Sequence, residues 1–186
     1  MGLIDQYQSV GESCSFSLTL ADGDTRILSY VNPHFVEKTG FTKNDAIGHS
    51  CKFLQADKTP EAIQNYMRTR LESGRPIFCE LINYRKDGSP FVNRLIVLEI
   101  NPTPRVNFYL GLQNPMDYET TEDMKTIKLK TLEDLELTED DLDHYIRNHL
   151  MFLQTQDPKA LESAIEKLRH LILNLDDKER YPHIRK

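Results

Sequence analysis

Residues 48–55 read GHSCKFLQ, with a cysteine between polar residues and directly ahead of an apolar pair. A thiol in that place is a buried filler, a nucleophile, a metal ligand or a group that reacts with a cofactor. Cysteine is among the most buried residue types and is often an inert apolar filler. Cys14 and Cys79, both in stretches with strand patterning, fit that reading. Nucleophilic hydrolysis would need a base within reach of the sulfur. His49 is two residues from Cys51, which turns the two side chains apart on a helix. The remaining histidines, at 34, 144, 149, 170 and 183, lie mostly near the C-terminus. Metal spacing is missing too: there is no C-x-x-C and no H-x-x-x-H, and His144 and His149 are five apart. Nor is there a glycine-rich phosphate loop.

Four amides stand in more suggestive places. Gln55 follows Cys51 by one helical turn, and Asn83 (LINYR), Asn93 (FVNRL) and Gln113 (YLGLQ) each sit among apolar and aromatic residues. If the three strand amides share the buried face of one sheet, they are costly unless hydrogen-bonded. Each offers both a donor and an acceptor. A planar heterocycle with alternating acceptors and donors would satisfy them together. The plainer alternative places them on the solvent face, because a strand has two faces.

The elements that must position these groups can be read from periodicity and punctuation. CSFSLT (14–19) and RILSYV (26–31) read as strands joined through ADGD, a turn sequence. Asn32-Pro33 opens a short helix that Gly40 ends, with Phe35 and Val36 turned inward. Thr42 and Asp45 have the spacing of a capping box for one further turn. Thr59-Pro60-Glu61 starts a longer helix, to about Ser73. Strands follow at 77–85, 90–100 and 106–114, the first two joined by KDGS. The result is an α+β domain, a five-stranded antiparallel sheet with helices on one face.

Beyond Pro115 the pattern changes. We read 1–12 as an N-terminal cap, 13–116 as the main domain, 117–137 as a charged linker, 138–176 as a helical hairpin and 177–186 as a tail. In the hairpin, Leu142, Tyr145, Ile146, His149, Phe152 and Leu153 form one apolar stripe, and Leu161, Ile165, Leu168, Ile172 and Leu175 form another. So short a hairpin cannot bury both stripes alone. It is expected to pack on the sheet or to form a homodimer.

The 186 residues carry a net charge of -6, and 28% of them are charged. That balance argues against a nucleic-acid surface over the whole molecule. The acidic tail also lacks the basic recognition helix that DNA binding would need. No apolar run reaches a membrane span of ~18 residues, and MGLIDQYQSV lacks the basic flank of a signal peptide. Gln6 stands where myristoylation wants Ser or Thr. Three widely spaced cysteines are not a disulfide framework, so a reducing, cytoplasmic setting is expected.

GHSCKFLQ resembles the Asn-Cys-Arg-Phe-Leu-Gln motif of the LOV (light-oxygen-voltage) domains, flavin-binding photoreceptors of the PAS superfamily. The resemblance spans residues ~13–116 and runs through YVNPHFVEKTGF, GHSCKFLQ, LINYRKDGSPFVNRL and YLGLQN, in the family's order and spacing. It implies a PAS/LOV fold and non-covalent FMN, ahead of riboflavin or FAD. The 12 residues between Gln55 and Arg68 lack the insertion that accommodates the adenine of FAD. It also implies that Cys51 is the photoactive thiol, which bonds reversibly to flavin C4a under blue light. Asn83 and Asn93 would hold the pyrimidine edge. Gln113 would sit near N5 and relay the signal. Gln55 would meet the ribityl chain, Thr19 and Asn32 would lie near the pocket, and Leu54, Met67, Leu95 and Tyr109 would form its walls. Arg68 matches a phosphate-binding arginine. Two motif positions depart from the family: Ser50 replaces Asn, and Lys52 replaces Arg, giving a point charge in place of a planar fork. A short LOV protein of this kind is a sensor rather than an enzyme, and its C-terminal helices would change dimerisation or partner binding. The alternatives are a light-independent flavin redox or ligand sensor, and a light-regulated DNA-binding protein.

Overall fold

The computed structural model describes residues 3–14, 16–55, 59–103, 106–118, 159–164 and 184–185. The expected linker, hairpin and tail otherwise lie outside the described residues. The helices are α1 (Leu3–Ser13), α2 (Pro33–Thr39), α3 (Lys43–Ala46) and α4 (Glu61–Glu72), with a 3-10 turn at Cys51–Leu54. The strands are β1 (Ser17–Asp22), β2 (Leu28–Val31), β3 (Ile77–Tyr84), β4 (Pro90–Thr103), β5 (Val106–Tyr118) and the two-residue β6 (Ile184–Arg185). The sheet is antiparallel in the order β2-β1-β5-β4-β3, and β6 adds to the end of β5.

Strand alternation divides the sheet into two different surfaces. On one face, Thr19, Ile77, Leu81, Asn83, Asn93, Leu95, Gly111 and Gln113 line a cavity roofed by α4 and the 3-10 turn. On the other, Leu18, Leu20, Phe78, Ile96, Leu98, Phe108, Leu110 and Leu112 form an apolar cluster. The second face is covered as well. Tyr7 and Val10 of α1 join that cluster, with the Tyr7 ring edge-on to Phe108 at 5.3 Å. Leu161, within the helical residues 159–164, joins it too. The outer face also buries an ion pair: Arg94 Nη2 lies 2.7 Å from Glu80 Oε1, with both side chains fully shielded.

Local rules account for most of the helix boundaries. Asn32 caps α2 by accepting from Phe35 N, Pro33 occupies the first turn, and Gly40 (φ 74°) closes it in the left-handed region. The Thr42–Asp45 capping box forms in both directions. Several boundaries differ from the sequence reading, among them the start of β2 at Leu28 and not at 26. Strand β1 starts at Ser17, because α1 continues to Ser13, and Cys14 lies past the helix end with its Sγ 3.2 Å from the Val10 carbonyl. Strand β4 runs on to Thr103, into the stretch read as a loop at 101–105, and β5 continues past 114 to Tyr118. Thr59 does not cap α4: the N-cap residue is Pro60, and the carbonyl of Thr59 accepts from Gln64 Nε2 at 2.7 Å.

Candidate functional site

The cavity has a volume of about 310 Å³, at the small end of ligand pockets. Backbone bonds fix how Cys51 reaches it. Leu28 N donates to the His49 carbonyl, Gly48 N donates to the Leu28 carbonyl, and Ile27 pairs with Ser50. The GHSC loop is thereby stitched to β2, and Cys51 opens the 3-10 turn at the cavity wall. Burial pushes the Cys51 thiol up to about 12. It is therefore a neutral thiol near pH 7, and its ground-state nucleophilicity is suppressed because the thiolate is the reactive form. Among the described residues, no cluster of three His, Cys, Asp or Glu is placed to bind an ion.

Opposite the thiol, the three strand amides meet on the cavity face. Asn93 Nδ2 donates to Asn83 Oδ1 at 2.9 Å and to Gln113 Oε1 at 3.2 Å. The sheet register explains this. Asn93 stands opposite Leu81 on β3 and Pro115 on β5, so Asn83 and Gln113 are its diagonal neighbours on the same face. All three are buried, and Asn93 Oδ1 has no hydrogen-bond partner. A buried acceptor without a partner is costly, so this end of the cavity calls for a donor from a bound group. Nearby, Thr19 Oγ1 donates to the Gly111 carbonyl at 3.5 Å, and a Cβ on residue 111 would lie 2.5 Å from that hydroxyl. Gly111 keeps the floor of the cavity low.

The middle of the cavity is apolar, with Leu28, Leu54, Met67, Leu71, Leu95 and Tyr109 in its walls. The mouth is cationic: Lys52, Arg68 and Arg26 line it and are exposed. Arg68 Nη2 donates to Asn65 Oδ1 on its own helix. A donor-and-acceptor inner end, an apolar slot and a cationic mouth fit a heterocycle carrying an anionic tail. FMN has that layout, so the residues present fit the flavin that the resemblance implies.

Thirteen of the fourteen residues expected at the site line the cavity: Thr19, Ser50, Cys51, Lys52, Leu54, Gln55, Met67, Arg68, Asn83, Asn93, Leu95, Tyr109 and Gln113. Asn32 does not. Its Oδ1 accepts from Leu18 N and Phe35 N, and its Nδ2 donates to the carbonyls of Gly11 and Phe16. A side chain so fully engaged is a structural clamp. The sequence reading missed Arg26, which takes φ 60° in the turn after β1, a conformation uncommon outside glycine. Its one signal was a cation at the end of ADGDTR.

The chain is similar to several known proteins. The PAS domain family model matches residues 13–112. A blue-light-activated histidine kinase 2 from Erythrobacter litoralis (strain HTCC2594) is 26% identical over 156 residues, covering 82% of this chain and 43% of the relative. The chain thus spans less than half the length of that curated relative. The solved LOV domain of the Erythrobacter litoralis EL346 blue-light activated histidine kinase is 30% identical, with a TM-score of 0.52, covering 55% of this chain and 96% of that one. The Rhodobacter sphaeroides LOV protein has the same fold at 22% identity and a TM-score of 0.61, with 91% and 90% coverage.

Proposed function

This chain belongs to the PAS domain family, in its blue-light-sensing LOV branch, and from that premise we propose that it binds FMN and signals by a reversible bond between Cys51 and the flavin. The observation that carries the proposal is the convergence on one cavity of a neutral, partly buried thiol and three buried amides, one with an unmet acceptor. When bound, the flavin would absorb blue light and, in its excited state, take the sulfur at C4a. The chain's own residues supply everything else. Asn83 and Asn93 hold the polar ring edge, and Leu54, Met67, Leu95 and Tyr109 enclose the ring and exclude water. Thr19, Ser50 and Gln55 meet the ring side and ribityl chain, and Lys52 and Arg68 face the phosphate. The phosphate-free riboflavin and the larger FAD are poorer fits to this arrangement.

Gln113 is placed to sense the change. Its amide already shares Asn93 as donor, so a new proton at the ring edge alters what it must donate or accept. The signal would run along β5, whose outer-face residues share a cluster with Leu161. The C-terminal helices would respond by changing homodimerisation or the grip on a partner protein, provided the two flavin states favour different arrangements. The chain would act as a sensor without substrate turnover of its own. Its three free cysteines suit the reducing cytoplasm, and no helix among the described residues is long and apolar enough to cross a membrane.

The test is an absorption spectrum of the FMN-loaded chain before and after blue light, followed in the dark. The expected outcome is bleaching of the blue band, thermal recovery, and loss of both in Cys51→Ala with flavin still bound. Retained flavin without bleaching would instead indicate a redox or ligand sensor.

A further inference from the structure

Beside Gln113, the sheet places a serine and a histidine that the photochemistry above does not use. Ser17 opens β1 fully buried, and its cross-strand partner on β5 is Gln113. It shares the parity of Thr19 and Ala21, both of which line the cavity, so Ser17 and Gln113 stand on the same face. Directly opposed side chains of an antiparallel pair lie roughly 5 Å apart at Cβ. The hydroxyl of Ser17 is 3.3 Å from His34 Nδ1 in the first turn of α2. His34 is half-buried, so the run from Gln113 through Ser17 ends at a titratable ring with access to solvent.

We propose that Ser17 and His34 form the proton exit beside Gln113, with His34 as the base that resets the photoreceptor in the dark. The inference rests on the photochemical reading above and deepens it. For the Cys51–flavin bond to revert, the Sγ–carbon bond breaks with its electron pair leaving on sulfur. The ring nitrogen loses its proton, and that N–H pair restores the ring double bond. One proton leaves through Gln113 and Ser17 to His34, and one reaches Cys51 Sγ. The two electrons stay within the pair, so no outside oxidant or reductant is needed.

The ring is suited to the role. Burial holds the His34 pKa below its ordinary value; Lys38 lowers it further and Glu37 opposes. From β1, the strand on which α2 packs, His34 meets the neutral Ser17. The unprotonated base therefore predominates near pH 7.

The test follows dark recovery of the FMN-loaded full chain after a light pulse, from about pH 5 to about pH 8, the range over which histidine titrates. In the native chain, recovery should slow as pH falls through the His34 pKa. His34→Gln and Ser17→Ala should recover at least about tenfold more slowly near pH 7, given what a positioned base contributes. Both should lose the pH step, whereas Ser17→Thr keeps it. A second readout needs no light: in the dark chain, Ser17→Ala should shift the His34 ring titration or tautomer followed by NMR. Variants that bleach and recover with the native pH profile would overturn the relay alone, as would a His34 titration that ignores Ser17. A native chain that binds FMN and never bleaches would overturn both the relay and the photochemical reading.

Discussion

Cys51 enters its cavity protonated, because burial raises its pKa to about 12. A thiol that needs no protection from adventitious chemistry can wait for a partner that becomes electrophilic only when excited. The same economy of contact applies to its neighbours. Asn93 spends both N–H bonds on Asn83 and Gln113 and leaves its oxygen for the guest. Gly111 is the least replaceable residue of the floor. A Cβ there would lie 2.5 Å from Thr19 Oγ1, and forced overpacking of this kind costs about 1–3 kcal/mol. Gly111→Ala should therefore lower both the thermal midpoint and the affinity for FMN, measured by thermal melts and flavin titration; unchanged affinity would show that the Thr19 rotamer yields without cost.

At the level of elements, Asn32 ties together the end of α1, the approach to β1, β1 itself and the start of α2 through four side-chain hydrogen bonds. Losing a cap costs about 1 kcal/mol, and orphaning further buried partners costs about 1–3 kcal/mol for each group left unsatisfied. Asn32→Ala should destabilise the chain by at least about 2 kcal/mol in denaturant unfolding, as the sum of those costs, while leaving the absorption spectrum of bound FMN in place. That second readout separates a clamp from a cofactor ligand. Asn32 also marks where sequence reading reached its limit. The Asn-Pro signature identified it as a cap, and the family pattern placed it near the pocket, but only the tertiary arrangement shows where its second pair of bonds goes. Cys51, Asn83, Asn93 and Gln113 were legible because motif order and strand parity specify them together. The Thr42–Asp45 box and Gly40 were legible because capping chemistry is local. The start of β1 was not, since CSFSLT alternates like a strand from its first residue while α1 packing claims Ser13 and leaves Cys14 outside. Arg26 was missed because its role depends on a left-handed turn that no local rule assigns to arginine.

On the scale of the whole molecule, one sheet separates two environments. Its cavity face carries the buried amides Asn83, Asn93 and Gln113, and its outer face is sealed by α1, Leu161 and the shielded Arg94–Glu80 pair. A residue's parity along β5 decides which environment it reports to, so a change felt by Gln113 is one peptide away from Leu112 in the outer cluster. The cationic mouth has a separate consequence, in the kinetics of assembly. The chain carries a net charge of -6, yet Arg26, Lys52 and Arg68 ring the entrance. An anion approaching this acidic protein meets a local attraction there, at distances set by a Debye length of about 10 Å in 0.1 M salt. Loading of the empty chain by FMN should therefore slow as ionic strength rises, while loading by uncharged riboflavin should barely change. Stopped-flow quenching of flavin fluorescence would measure both rates, and equal salt dependence for the two ligands would show that the mouth guides nothing.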